Sequence, residues 1–502
     1  MLKLGSFAAA FLLSWASIAG AQTSPAPTIR MEKLGPLPTP LLDRAMSRDG
    51  RHLALVSSRG TNEAVFVDGQ PGPEFDAVTR GSLVMSVDGK RVAYVAHRGP
   101  KQFVVVDGQA GPDHNGIGMG SPIFSPDGRH VAYLATNGSK LLVVVDGLAG
   151  PKYDYIARGM PLFSPDGKHV AYRAGNGLKM FVVVDGQAGS EYDGIGQDTP
   201  VFSPDGTHVA YVAKVGPTYR VVLDNHMGPA FDGIGDGTPI FAPAGNQMAY
   251  VGIKGGKQLV VVDGQAGSEY DGIGQDTPVF SPDGKRVAYV AKKGLKQLVV
   301  VDGQPGPEYD GTSAPVFGQD GKRIAYNAKN GPKSFVVADG VVSPGYDAIS
   351  EGMPIFSPNG KRLAYGAKKD QKWFISIDGQ ASPEYDAILD RSLVFSPDGE
   401  RVAYGAQNAQ KQFVVATGQP SPPFDGIFNG TPLFSPSGKR VAYGAVKGKS
   451  AFMVVDGEPG PEFDGLVAFP PAKLAFDGDG TLVYLAMKDR NLYRVSHLAP
   501  QP

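Results

Sequence analysis

Apolar residues in this chain come in short runs, and each run stops at a turn. The pattern is easiest to follow around position 290. Pro278-Val279-Phe280-Ser281 is followed by Pro282-Asp283-Gly284, and Arg286-Val287-Ala288-Tyr289-Val290 by Lys293-Gly294. Gln297-Leu298-Val299-Val300-Val301 then runs into Asp302-Gly303, and Glu308-Tyr309-Asp310 comes last. The runs are rich in β-branched and aromatic residues, which fit a pleated surface. Proline presets φ at the first corner of a turn, and glycine accepts φ > 0 at its end. In this segment Gly or Pro interrupts each stretch after nine residues or fewer, short of the ten or so that an amphipathic helix needs. The pattern predicts four short antiparallel strands here, a to d, and strands throughout the chain.

This segment is one copy of a repeat. The glycine closing the a–b turn recurs at Gly50, Gly89, Gly128, Gly167, Gly206, Gly245, Gly284, Gly321, Gly360, Gly399, Gly438 and Gly480. The steps are 39 residues, apart from one of 37 and one of 42. Residues 182–206 and 260–284 are the same 25 residues, so whole units were duplicated. A lone four-stranded sheet exposes both faces, and stacking such sheets around an axis buries them. The expected fold class is all-β: a β-propeller of twelve four-stranded, 39-residue blades across residues 41–502.

The motif P-(V/I/L)-F-S-P-D-G-K-R-V-A-Y resembles the WD40-like blade of TolB's propeller and of the propellers in prolyl-oligopeptidase-type enzymes. The resemblance spans Leu41 to Leu498, with Phe where that family often has Trp in strand a. It implies the propeller, read as blades only, with no TolB N-terminal domain and no hydrolase domain. It implies little about function, because one fold hosts many activities. Ordinary propellers have roughly four to eight blades. The units are therefore expected as two tandem rings or one large ring, with two favoured. The last unit stops after its c strand, Tyr493-Arg494-Val495, and Ile29 to Leu34 is a candidate for the missing d strand. The shortened linker Gly311 to Ala314 and the altered Asp224-Asn225-His226 are the candidate junctions between two rings.

Residues 1–21 read as a cleavable export signal. Lys3 is the one cation, Phe7 to Ile18 is apolar, and Ala19-Gly20-Ala21 sets cleavage after Ala21. Residues 22–40 form a Pro-rich spacer that includes the candidate closing strand. The mature chain is expected in a periplasm or outside the cell, without a transmembrane anchor. It has no cysteine, so neither a lipidated Cys nor a disulfide framework is available. With Lys3 removed, 47 basic residues stand against 49 acidic ones. That balance gives no general attraction to nucleic acid.

Catalytic signatures are missing. There is no G-x-S-x-G elbow and no H-E-x-x-H. Asp477-Gly478-Asp479-Gly480-Thr481 begins like a calcium loop but lacks the later Glu and occupies an a–b turn. No metal and no cofactor is expected. His52, His130, His169 and His208 lie two residues after the turn glycine, where other units have Arg91, Arg286, Arg323, Arg362, Arg401 and Arg440. Arg cannot ligate a metal, so the position reads as a repeated cationic donor. Strand d ends on Asp76, Asp154, Asp193, Asp232, Asp271, Asp310, Asp347, Asp386, Asp425 and Asp464, with Asn115 the exception. So many copies read as a structural contact in each blade, made to that His or Arg or to backbone N–H groups.

Two positions carry binding candidates. Twelve residues after the turn glycine, at the b–c end, stand Lys101, Lys140, Lys179, Lys257, Lys296, Lys333, Lys372 and Lys411. Nine residues before it the repeat breaks down into Arg80, Met119, Arg158, Gln197, Asp236, Gln275, Glu351, Asp390 and Asn429. This second position reads as the d–a connection at the same end. The expectation is an exported, non-enzymatic binding or scaffold protein of the cell envelope or exterior. It would recognise an anionic partner, a protein surface or an anionic glycan, through Arg80, Arg158, Lys101, Lys140 and Lys179. Asp236, Glu351 and Asp390 lie on the later loops of the same face. The alternative is a propeller enzyme acting on polysaccharide, a lyase or glycosidase, with a few unrepeated polar residues converging on the axis.

Overall fold

The computed structural model describes residues 28–158, 161–352, 354–467 and 473–499. The export signal expected at residues 1–21 lies outside the described residues. All regular elements among those described are strands, grouped in twelve antiparallel sheets. In blade 7, strand a consists of two short pieces, Gly272–Ile273 and Val279–Phe280, both paired with strand b, Val287–Lys293. Strand c is Lys296–Val301, and strand d starts at Gln304–Pro305. Counting the split strand as one, blades 2 to 11 all follow this four-stranded plan. Blade 1 has an unbroken a strand, Leu41–Met46.

The turns form for local reasons. In Ser281-Pro282-Asp283-Gly284 the Gly284 N–H donates to Ser281 O at 2.8 Å. The buried Ser281 hydroxyl donates to Asp283 and accepts from the Arg286 N–H. The c–d turn needs φ > 0 at both central residues, and Asp302-Gly303 supplies it at 50° and 78°, the hairpin chemistry of Asp-Gly.

The passage from blade to blade differs from the expectation. Tyr309 still bridges to Gln297 in its own blade, while the next amide, Asp310, already donates to Lys329 O of blade 8. The end of strand d and the start of the next strand a are thus adjacent residues, and no connecting loop is needed. The residues read as a d–a connection instead form a bulge inside strand a. Ile273 pairs with Ala291 and Val279 with Ala288, so residues 274–278 stand opposite only 289 and 290.

The twelve blades form one ring, not the two that were favoured. Ile29–Pro36 pairs antiparallel with Asn491–His497 and supplies the outer strand of blade 12, beside Leu482–Lys488 and Gly465–Val467. Across the seam Arg494 pairs with Asp68 of blade 1 at 2.6 Å, and Lys473 N–H donates to Arg48 O. Leu34, Met46, Leu53, Leu485 and Leu492 form one apolar cluster there. Both candidate junctions are ordinary parts of the repeat. Gly311–Thr312 is the first piece of strand a in blade 8, and Asp224-Asn225 is the c–d turn of blade 5. The repeat is so uniform that no blade has a face different enough to begin a second ring.

The core lies between blades. Along strand b, Val287, Tyr289 and Ala291 pack on Ala249 and Val251 of blade 6. The intervening Val290 packs with Tyr326, Ala328 and Val337 of blade 8. Alternation along a strand thus sends one set of side chains to each neighbour, and both faces are buried. The a strands of adjacent blades approach to within 8 Å, which makes them the inner wall. Sheets packed about 10 Å apart, twelve to a ring, trace a circle roughly 40 Å across at mid-blade. Each blade, with strands about 4.8 Å apart, is about 14 Å wide, which leaves roughly 25 Å between opposite inner backbones.

Candidate functional site

The strand-d carboxylates hold the b–c end of the ring together. Asp193 accepts from Lys179 of its own blade at 2.7 Å and from the Gly216 N–H in the next blade's b–c turn at 2.8 Å. Asp310 does the same with Lys296 and Gly331, both at under 3 Å. All ten acids accept such a turn N–H from the following blade. The Lys179 ammonium, with the Gly216 N–H, holds the Asp193 carboxyl below its ordinary range, and Lys179 is raised in turn. Asn115 keeps the turn contact, to Gly138, without a charge.

This geometry engages most of the cations expected to meet an anionic partner on that face. Lys140 and Lys179 are bound to Asp154 and Asp193. Lys257, Lys296, Lys333, Lys372 and Lys411 are likewise held by carboxylates. Arg80 is clamped by both oxygens of Glu63 and by Val78 O. Of the five proposed cations, Lys101, which stands opposite Asn115, and Arg158 have no ion pair among the described residues. The sequence held the signal: the unit with Asn115 in place of Asp is the unit of Lys101.

The unrepeated residues occupy the inner bulges. Arg158, Asp236, Glu351 and Asp390 are all exposed at bulge tips, and none has an ion pair among the described residues. Neighbouring tips come close together, for a Cβ added at Gly352 would lie 3.7 Å from Arg391 Cγ in the next blade. Two further acids, Asp198 and Asp276, sit one residue beyond the position singled out in the sequence. From blade 5 to blade 10 the bulges thus present five acids, with Arg391 as the one cation.

The opposite end carries a second set of latches. The His or Arg after the turn glycine does not meet the strand-d Asp, because four antiparallel strands put those two positions at opposite ends. Its partner is the Asp of the c–d turn, except for Arg401, whose unit has Thr417 there. Arg286 Nε lies 2.8 Å from Asp302, Nη1 donates to Lys322 O of blade 8 at 2.7 Å, and the guanidinium lies over Phe317. Arg91, Arg323 and Arg362 reach the next blade in the same way. His130 and His169 hold Asp146 and Asp185 at 2.6 Å but are too short to cross. Cavities of about 400 and 450 Å³ remain beside them, against about 280 Å³ beside Arg91. The sequence reading passed over these clefts, although consecutive His-bearing units among Arg-bearing ones marked the place.

No family model matches the chain, and no curated protein matches it. Among solved structures it resembles the crystal structure of a eukaryotic initiation factor at 15% identity and a TM-score of 0.35, covering 67% of this chain and 96% of that one. It also resembles the hydrazine synthase of Kuenenia stuttgartiensis at 14% identity and a TM-score of 0.22, covering 65% of this chain and 99% of that one. Similarity at this level carries no argument about activity.

Proposed function

We propose that this chain is an exported, non-enzymatic ring scaffold of the cell envelope or exterior, with blades of the WD40-like, TolB type, that holds a protein partner at its inner bulges. One observation carries the reading. Most of the charged groups that repeat are consumed in latches within and between blades, whereas the unrepeated Arg158, Asp236, Glu351 and Asp390 stand exposed at the bulges. Loops and bulges on a rigid frame are where recognition usually resides. The prevalence of acids from Asp198 to Asp390 favours a basic partner surface over the anionic glycan expected from the lysines. The apolar segment Phe7 to Ile18, followed by the cleavage site Ala19-Gly20-Ala21, supports export.

The test uses the mature chain as bait for envelope extract, beside a variant carrying Asp236→Asn, Glu351→Gln and Asp390→Asn. A partner that the parent retains and the variant releases, with binding weakened by salt as exposed charges are screened, is the expected result. Equal retention by both would remove the inner bulges from the reading. Turnover on a panel of polysaccharides would replace the scaffold with an enzyme.

A further inference from the structure

The two clefts beside His130 and His169 are alike in imidazole and carboxylate, and differ where Gln187 and Asn225 of the larger give way to Leu148 and Gly186 in the smaller. In each, Asp fixes the imidazole through Nδ1, which turns Nε2 away from the carboxylate, and that Nε2 has no hydrogen-bond partner among the described residues. The other two histidines of the series are engaged. Asn246 lies 3.0 Å from Nε2 of His208, and His52 packs beside Arg494 and against Gly89. Among the four histidine-bearing junctions, an unengaged Nε2 beside a cleft is therefore confined to two adjacent ones.

In the larger cleft the walls are apolar at Phe202 and Val209 and polar at His169, Gln187 and Asn225, with the Tyr211 hydroxyl donating to Asn225 Oδ1 at 3.4 Å. Asp185 and Asp224 flank it on both sides. The smaller cleft has Phe163, Val170 and Tyr172 in the matching places and is flanked by Asp146 and Asp185. Lys168 on its lip is taken by Asp166 at 3.0 Å. Volumes of about 400 and 450 Å³ fall in the range of about 300–1,000 Å³ usual for small-ligand sites.

We infer that these clefts bind neutral sugar residues of an oligosaccharide, one at each blade junction. Carboxylates on both flanks repel anions. Nε2 and the carboxylates accept hydrogen bonds in both clefts, while the amides of Gln187 and Asn225 donate them in the larger one. Hydroxyl groups, which do both, satisfy such a mixture, and the Phe and Val walls suit the C–H face of a sugar ring. Asp185 borders both clefts, so the two are neighbours along the rim, and a chain of sugars fits them better than a single ring. The site lies at the end opposite the b–c turns, and its failure would leave the proposal for the inner bulges standing.

The experiment titrates the mature chain calorimetrically with maltohexaose, cellohexaose and N-acetylchitohexaose, with oligogalacturonate as the anionic counterpart. At least one neutral oligosaccharide is expected to bind and oligogalacturonate to bind less well. The double variant His130→Arg, His169→Arg installs the residue that other blades already use. It is expected to keep its melting temperature and to lose affinity at least about tenfold, the equivalent of about 1.4 kcal/mol. Arg91→His is expected to open a third cleft and extend binding to longer oligomers. The triple variant of the inner bulges should bind sugar like the parent. Silence from every neutral oligosaccharide, undiminished affinity in the double variant, or preference for oligogalacturonate would each overturn the inference.

Discussion

His497 makes the closure of the ring sensitive to pH. It lies opposite Ile29 of the closing strand and Leu482 of strand b in blade 12. It is 1% exposed, with Nε2 3.2 Å from the Tyr484 hydroxyl and Nδ1 without a hydrogen-bond partner. Burial, helped by the charge of Arg440 and opposed by Asp456, pushes the imidazole from 6.5 down to about 4. Between those values the unfolded chain binds a proton that the closed ring refuses. Stability is therefore complete above pH 6.5 and is lost as pH falls toward 4. At about 1.4 kcal/mol per pH unit the gap is worth about 3.5 kcal/mol, or roughly 300-fold in opening of the seam.

The perturbation is His497→Phe, which keeps the ring shape and removes the titration, at a cost of about 1 kcal/mol for the lost hydrogen bond to Tyr484. The assay is hydrogen exchange of the Ile29–Pro36 amides from pH 7.5 to pH 4, corrected for intrinsic exchange. The parent should lose protection through the window while the variant stays level. The latch acids do not interfere. Asp193 and Asp283 are held below their ordinary 3.8, by Lys179 and by the Ser281 hydroxyl, and their contribution is lost only below the window. Parallel loss of protection in parent and variant would refute the role given to His497.

Two further predictions test the turns and the closure. Gly284 has φ +72°, and an added Cβ would collide with the Ala244 carbonyl oxygen of the neighbouring blade, whereas Gly294, at φ +59°, has open space around it. In urea unfolding, Gly294→Ala should cost only the left-handed backbone term of about 1–2 kcal/mol and Gly284→Ala clearly more; equal costs would contradict the blade contact. Removal of Ile29–Pro36 should bare the edge Asn491–His497 and produce self-association in light scattering, since an open edge recruits another strand; a monomer with unchanged melting would show that the ring does not depend on that strand.

Most of what depends on a dozen neighbouring residues was legible in the sequence, the bulge within strand a at residues 274–278 being the exception. The Ser281-Pro282-Asp283-Gly284 turn, the alternation from Val287 to Ala291 and the recurrence of both through twelve units follow from turn chemistry and strand period, and they specify blades. Even the outer strand of the last blade could be found, because Ile29 to Leu34 had the right pattern and the last unit lacked a partner. Contacts between blades could not be read in this way. Whether Lys179 faces solvent or Asp193, and whether Arg286 crosses to Lys322 where His169 stops short, depends on which ends of adjacent sheets meet. The choice between one ring and two depends on the angle at which one blade's face seats on the next, and the closure of twelve such steps belongs to the interface and not to any single stretch of chain. The sequence by itself determined the unit and its number. Tertiary structure decided how the units close and which charges the closure uses, because those energies arise only when two distant faces are brought together.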